Sequence, residues 1–286
     1  MLLPVALASV TALSFSISGI LVKGVSSRRG YLLASFAVAL GDLVVLSIAV
    51  LFAGLSGIGA YSVILSVLSG IMLIFGYTLF YKTLEKQQAS NTYATIEIQV
   101  LLIGLYGIFA LKESIGAASG IGMLAIVIGI LLVSTAKGMK FNMKLAPAIA
   151  ANAFWALSWI LLVYPINNTR NPIIPTLLSF LTFFVIITAI MIAGRRRHSA
   201  IAPAPRTASP KWLVVGVAAG MSSGFGNTLF TILTSTKHLV TAAVIGNSSP
   251  AIVAVLAYLV YHDRLTKLQL IGLVIVVAGG IIMGVY

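Results

Sequence analysis

Phe75-Gly76-Tyr77-Thr78-Leu79-Phe80 returns 150 residues later as Phe225-Gly226-Asn227-Thr228-Leu229-Phe230. Working outward, the correspondence runs without a gap over 70–133 and 220–283, with Gly70, Gly122, Val127 and Gly129 recurring as Gly220, Gly272, Val277 and Gly279. Each copy holds three apolar stretches. The two stretches before each copy also match, at an offset of 144: Ala12-Leu13-Ser14-Phe15 with Ala156-Leu157-Ser158-Trp159, and Ser35-Phe36 with Ser179-Phe180. The repeating unit therefore has five stretches, and the change of offset falls in the Arg195–Lys211 loop, which carries four arginines, three of them consecutive, and three prolines. That loop reads as a linker.

The chain has 286 residues, 60% of them hydrophobic and 8% charged. Ten apolar runs fall at about 3–22, 31–53, 61–81, 89–111, 116–135, 145–165, 172–194, 211–233, 239–261 and 266–286. Each is close to the ~20 residues a helix needs to cross a bilayer. Membrane β-strands would be shorter and would alternate polar with apolar. The expectation is an all-α integral membrane protein of ten transmembrane helices. Its domains are five-helix repeats at 1–136 and 145–286. A unit with an odd number of spans, duplicated in one chain, crosses the membrane in opposite senses. Inverted repeats of this kind build secondary transporters, with a solute site near mid-membrane at the repeat interface.

The net charge of +13 is sorted rather than spread. Fifteen of the 18 lysines and arginines lie in loops after runs 1, 3, 5, 7 and 9; the opposite loops hold only Lys112, Arg170 and Lys237. This is a positive-inside signature, and it places both termini outside the cytoplasm. The basic loops serve topology and anionic lipid, not nucleic acid. The first run lacks a basic leader and a small-residue cleavage site, so it is expected to remain as a helix. Cysteine is absent, which excludes disulfides and thiol chemistry. His198, His238 and His262 are scattered in loops, so no metal site is expected. No phosphate loop and no nucleophile–base arrangement appears. Neither a cofactor nor catalysis is expected.

Two acidic residues lie inside runs, Asp42 and Glu97. An ionised carboxylate at the centre of a membrane helix costs about 2.5–3.5 kcal/mol, and no basic residue sits at similar depth to offset it. Such a group must be hydrogen-bonded for packing, protonated, or matched by a cation that comes and goes. Both are therefore candidates for solute binding and proton coupling. The offset of 150 sets Glu97 opposite Asn247 and Tyr77 opposite Asn227, which should bring them to one cavity. Tyr93 precedes Glu97 by one helical turn. Asn152, Trp155 and Trp159 form one stripe on run 6, and Thr11, Ser14 and Ser18 another on run 1. Aromatic faces beside a carboxylate suit an organic ammonium group. The other readings are an interfacial belt for the tryptophans and back-bonding within the helix for the serines. The candidate binding set is thus Asp42, Glu97, Tyr77, Tyr93, Trp155, Trp159, Asn227 and Asn247. Small residues at Ser66 and Gly70, at Gly116 and Gly120, and at Gly216, Gly220 and Gly224 mark expected helix contacts.

Asn247-Ser248-Ser249-Pro250, followed thirteen residues after the proline by Asp263, completes a pattern that resembles the EamA-type transporters of the drug/metabolite transporter superfamily. Glu113 stands in the same frame after Val100, where that family usually has proline. The family often carries an arginine early in its second helix; this chain has none there and has Asp42 instead. The resemblance implies a ten-helix secondary transporter for small organic solutes, with export as the direction by analogy. Read together with the carboxylates, the favoured solute is a cationic or zwitterionic amine or amino acid moved by alternating access. The alternatives are uptake of a neutral or anionic metabolite, an intramembrane lipid-modifying enzyme, or a non-transporting scaffold. Oligomeric state is left open.

The charge bias generates a test. In intact cells, a cysteine introduced at position 203 is expected to resist an impermeant thiol reagent, while one near Tyr286 reacts. The reverse pattern overturns the orientation.

Overall fold

The computed structural model describes residues 2–87, 89–93, 97–113, 116–134, 146–198, 211–262 and 266–285, and every regular element among them is helical. The first repeat comprises α1 (Leu2–Arg29), α2 (Tyr31–Ala53), α3 (Ala60–Lys86), α4 (Ala89–Tyr93), α5 (Glu97–Phe109) and α6 (Ala117–Ser134). The second comprises α7 (Ala146–Asn168), α8 (Ile173–His198), α9 (Lys211–Ser235), α10 (Leu239–Thr241), α11 (Ser249–Tyr261) and α12 (Lys267–Val285). Seven spans are long and apolar enough to cross a bilayer, and three shorter apolar helices occupy the remaining runs. The chain is an all-helical membrane protein with a duplicated ten-helix architecture.

The duplication is visible in how helices pair. α3 lies along α7 as α9 lies along α1; α2 meets α9 as α8 meets α3; α5 meets α7 as α11 meets α1. Each pairing is the other with the halves exchanged. α6 packs on its own counterpart α12, and there the symmetry is atomic. A Cβ on Gly129 would sit 2.7 Å from the Gly272 carbonyl oxygen, and one on Gly279 would sit 2.6 Å from that of Gly122. Both runs 4 and 9 end on a left-handed residue, Lys112 at φ 54° and His262 at φ 55°, again 150 apart. With an odd number of spans per half, this exchange is the inverted arrangement.

Run 9 is not one continuous α-helix. α10 passes into a π-helical turn, Ala242–Gly246, and the helix restarts at Ser249 with Pro250 in its first turn. Proline is tolerated there because that N–H needs no intrahelical partner. At the equivalent place in the first half, Val100 lies inside α5 without interruption. The start of run 9 is held by Glu113, whose Oε1 and Oε2 accept from the backbone N–H groups of Leu239 (3.0 Å) and Val240 (2.9 Å). Lys23 performs the complementary task at the C-terminal end of α3, donating to the carbonyls of Leu84 and Gln87. Cations suit a helix C-terminus and anions an N-terminus.

Packing comes from small residues, because lipid supplies no hydrophobic drive between helices. Gly216, Gly220 and Gly224 meet Ala37, Val38 and Asp42 along α2, while Gly41 of α2 faces the α9 backbone at Val217 and Met221. Gly70 meets Ser179 and Thr182 of α8. The expectation fails for Gly116 and Gly120. Among the described residues nothing lies within 4 Å of a Cβ at either, and the close contacts of α6 belong to Gly122 and Gly129, two and nine residues after Gly120. Among buried polar groups, Ser69 bridges Ser158 (2.7 Å) and Ser179 (2.8 Å), linking α3, α7 and α8.

Gly220→Val would drive a side chain into the Val38 backbone, which cannot yield as a side chain does. It is expected to destabilise by about 3 kcal/mol or more. Gly120→Ala, with open space around it, is expected to stay within about 1 kcal/mol of the parent, on the stabilising side. Unfolding midpoints in detergent check both.

Candidate functional site

The glycine contacts decide where Asp42 goes. With α2 and α9 nearly backbone to backbone, the carboxylate is sealed between them and has no accessible surface. Its Oδ1 accepts from Ser223 Oγ at 2.7 Å and from Asn227 Nδ2 at 3.2 Å. Its Oδ2 is buried with no hydrogen-bond partner among the described residues. Among the described residues no basic group pairs with it.

Ser223 and Asn227 in turn form part of the wall of a central cavity of about 80 Å³, bounded by α1, α3, α7, α8, α9 and runs 4 and 9. The cavity lies on the pseudo-twofold axis, since its wall contains both members of four repeat pairs: Leu73 with Ser223, Tyr77 with Asn227, Gln99 with Ser249, and Phe15 with Trp159. What differs within the pairs sets its chemistry. The lining combines polar groups, Ser18, Gln99, Ser223, Asn227, Asn247 and Ser249, with aromatic rings, Tyr77, Tyr81, Tyr93, Trp155, Trp159 and Phe180, and the two kinds meet where Tyr77 hydrogen-bonds with Asn227.

The aromatic rings are interlocked. The Tyr77 ring stacks on Phe183 at 4.8 Å and meets Trp155 edge-on at 5.2 Å and Tyr81 at 5.4 Å. Phe80 supports Tyr93 at 5.0 Å and Trp155 at 4.8 Å from behind. Trp159 packs on Phe230 at 4.2 Å. Three glycines make room for the rings. A Cβ on Gly76 would lie 2.5 Å from Trp155 Nε1, one on Gly226 would lie 2.8 Å from Phe15, and one on Gly19 would lie 2.5 Å from the Tyr93 hydroxyl. Gly76 and Gly226 are the shared glycines of the repeated hexapeptide. Each is a seat for a ring delivered by the first helix of the opposite half.

Six of the eight residues singled out from sequence thus stand around one cavity: Tyr77, Tyr93, Trp155, Trp159, Asn227 and Asn247. Asp42 does not line it; it lies one residue behind the wall, through Ser223 and Asn227. Glu97 opens α5, but its side chain lies outside the described residues, as do residues 94–96. In the run 1 stripe, Thr11 and Ser14 bond back to Leu7 and Val10, and Ser18 reaches the cavity. Sequence reasoning missed Ser223, Gln99, Tyr81, Phe15 and Phe180. The repeat held signals for three of them: Ser223 lies one turn before Asn227, Gln99 is 150 before Ser249, and Phe15 is 144 before Trp159. Tyr81 follows Tyr77 by one turn. Phe180 gave no signal. Among the described residues no group of three histidine, cysteine or acidic side chains could hold a metal ion.

Comparison with known proteins bears on the same architecture. No curated protein matches the sequence. A solved protein described only as "Crystal structure of protein" shares the fold, with a TM-score of 0.72 over 99% of this chain and 96% of its own, at 17% identity. The model of the EamA-like transporter family matches twice, over residues 2–135 and 143–285. The chain therefore belongs to the EamA-like transporter family and is a multi-pass membrane transporter, not an enzyme.

Proposed function

We propose that the transported solute is a small organic cation or zwitterion, an amine or amino acid, moved across the cytoplasmic membrane by alternating access in exchange for protons. The observation that carries this reading is Asp42. Its carboxylate is wholly buried, has no cationic partner among the described residues, and stands directly behind the polar wall of the central cavity. A membrane protein tolerates such a group when a mobile cation matches it for part of the cycle. The aromatic rings in the same lining suit an ammonium group through cation–π attraction. A neutral or anionic solute finds less there, since the described lining contains no lysine, arginine or histidine.

In this cycle a proton and the solute alternate at Asp42, so no second coupling site is required. Glu97, in the first turn of α5 and opposite Asn247 in the repeat, is the second candidate for the same duty. The five-helix repeats, 1–136 and 145–286, act as the two bodies that rock about the cavity. Both termini lie outside the cytoplasm, and export is the favoured direction.

The experiment has two steps. A thermal-shift screen of the purified protein against amines, amino acids, sugars and nucleosides finds a solute, since binding well above the dissociation constant stabilises by a few kcal/mol. Flux of that solute is then driven by an imposed pH gradient in proteoliposomes. Asp42→Asn is expected to abolish gradient-driven flux, and Glu97→Gln to weaken it. Normal flux in both single variants and in the double variant makes the carboxylates packing residues and ends the cation reading.

A further inference from the structure

Asp42 carries the charge, but it is not the surface a solute meets. It is sealed, while Ser223 and Asn227 stand between it and the cavity. The direction of their hydrogen bonds matters. A carboxylate oxygen only accepts, so the Ser223 hydroxyl and the Asn227 amide must turn their donors toward Asp42 Oδ1. The Ser223 hydroxyl is also within reach of the Gly220 carbonyl oxygen (3.1 Å), and the second N–H of Asn227 is directed to the Tyr77 hydroxyl, so the group this pair leaves to the cavity is the Asn227 carbonyl oxygen. The Asn227 carbonyl oxygen accepts no hydrogen bond among the described residues, and the residual exposure of this side chain, 3%, opens on the cavity it lines.

We infer that the solute is held through the Asn227 carbonyl oxygen, oriented by Asp42, and that the site takes a protonated amine keeping at least one N–H, in preference to a quaternary ammonium. This rests on the cation reading and deepens it. The aromatic wall alone accepts either kind of cation, because ring faces attract positive charge without needing a donor. A carbonyl acceptor makes the distinction: a quaternary nitrogen offers it no N–H, and the oxygen is then buried unpaired. Asp42 is thus a positioning residue. When it is protonated or replaced by an amide, Ser223 and Asn227 are free to rotate and the acceptor bias of the wall is lost.

The test uses the purified full-length chain, with 3-methylbutylamine and its N,N,N-trimethyl counterpart as probes at fixed pH. The wild type is expected to bind the primary amine about tenfold more tightly. Asn227→Leu should remove that preference, and so should Asp42→Asn, although Asn227 is then intact. The exchange Asp42→Asn with Asn227→Asp returns the charge and an acceptor to the pair and should restore tight binding of the primary amine. Ligand-free melting temperatures show which variants are folded. If a single variant does not fold, the exchange variant and the wild-type preference still decide. Equal binding of both probes by the wild type overturns the inference and leaves the cation reading standing. A preference that survives Asp42→Asn overturns the role of Asp42. Binding of neither probe overturns the inference, while the cation reading is judged separately by the thermal-shift screen and the flux of the solute it finds.

Discussion

The close approach of α9 to α2 at Gly216, Gly220 and Gly224 is the contact on which the rest of the molecule depends. In water, apolar side chains would drive helices together; in a bilayer the surrounding tails are as apolar as leucine, and only dense packing and polar contacts remain. Glycine lets one backbone rest on another, as Gly220 does on Val38. That contact joins a helix of one repeat to a helix of the other, so it holds the halves together as well as two helices. It also leaves no room for water beside Asp42. The carboxylate is thereby confined to partners from α9, and these are the residues that form the polar wall of the cavity.

Duplication accounts for the cavity, and divergence accounts for its chemistry. An axis relating the halves must pass between them, and equivalent side chains on either side of it face the same space. The pairs Tyr77 with Asn227 and Leu73 with Ser223 show how a symmetric frame acquires a lining of unlike groups. At the same time Gly76 and Gly226 stayed glycine, because each must admit a ring from the helix packed against it, Trp155 in one case and Phe15 in the other. Gly70 with Gly220 and Gly76 with Gly226 kept their identity between the halves, while the cavity pairs Tyr77 with Asn227 and Leu73 with Ser223 changed.

The same division explains what could be read from sequence. The ten spans, the five-helix unit and about half of the cavity wall were legible because span length, offset and polarity are one-dimensional properties. Symmetry pairing found Tyr77, Asn227 and Asn247 with no coordinates; carried one step further it would have found Phe15 opposite Trp159, and helical spacing from Asn227 would have found Ser223. Three things were not legible. The glycines of run 5 that make contact are Gly122 and Gly129 rather than Gly116 and Gly120; which glycines face a partner depends on helix rotation, and spacing does not fix that. The π-turn in run 9 arises from a local rearrangement of hydrogen bonds that composition does not signal. And polarity marked Asp42 as important but not as hidden, because depth within a bundle is set by the helix packed over it.

That hidden position changes what the carboxylate can do. A charge exposed on the cavity wall would attract any small cation and, once paired, would be slow to release it. Behind a wall of neutral acceptors the same charge acts at one remove, through the direction in which Ser223 and Asn227 turn. The field reaching the solute is softened, while the state of Asp42 still sets whether the wall offers acceptors or donors. A carrier needs this balance, since a solute bound too tightly in the closed state cannot leave on the other side. On the proposed cation reading, the aromatic rings of the lining serve the same end, giving a cation a favourable surface with no fixed counter-charge. The unpartnered Oδ2 of Asp42 fits the same picture. A buried acceptor left unmatched is costly, and the cost falls in whichever part of the cycle supplies a proton or a cation to it.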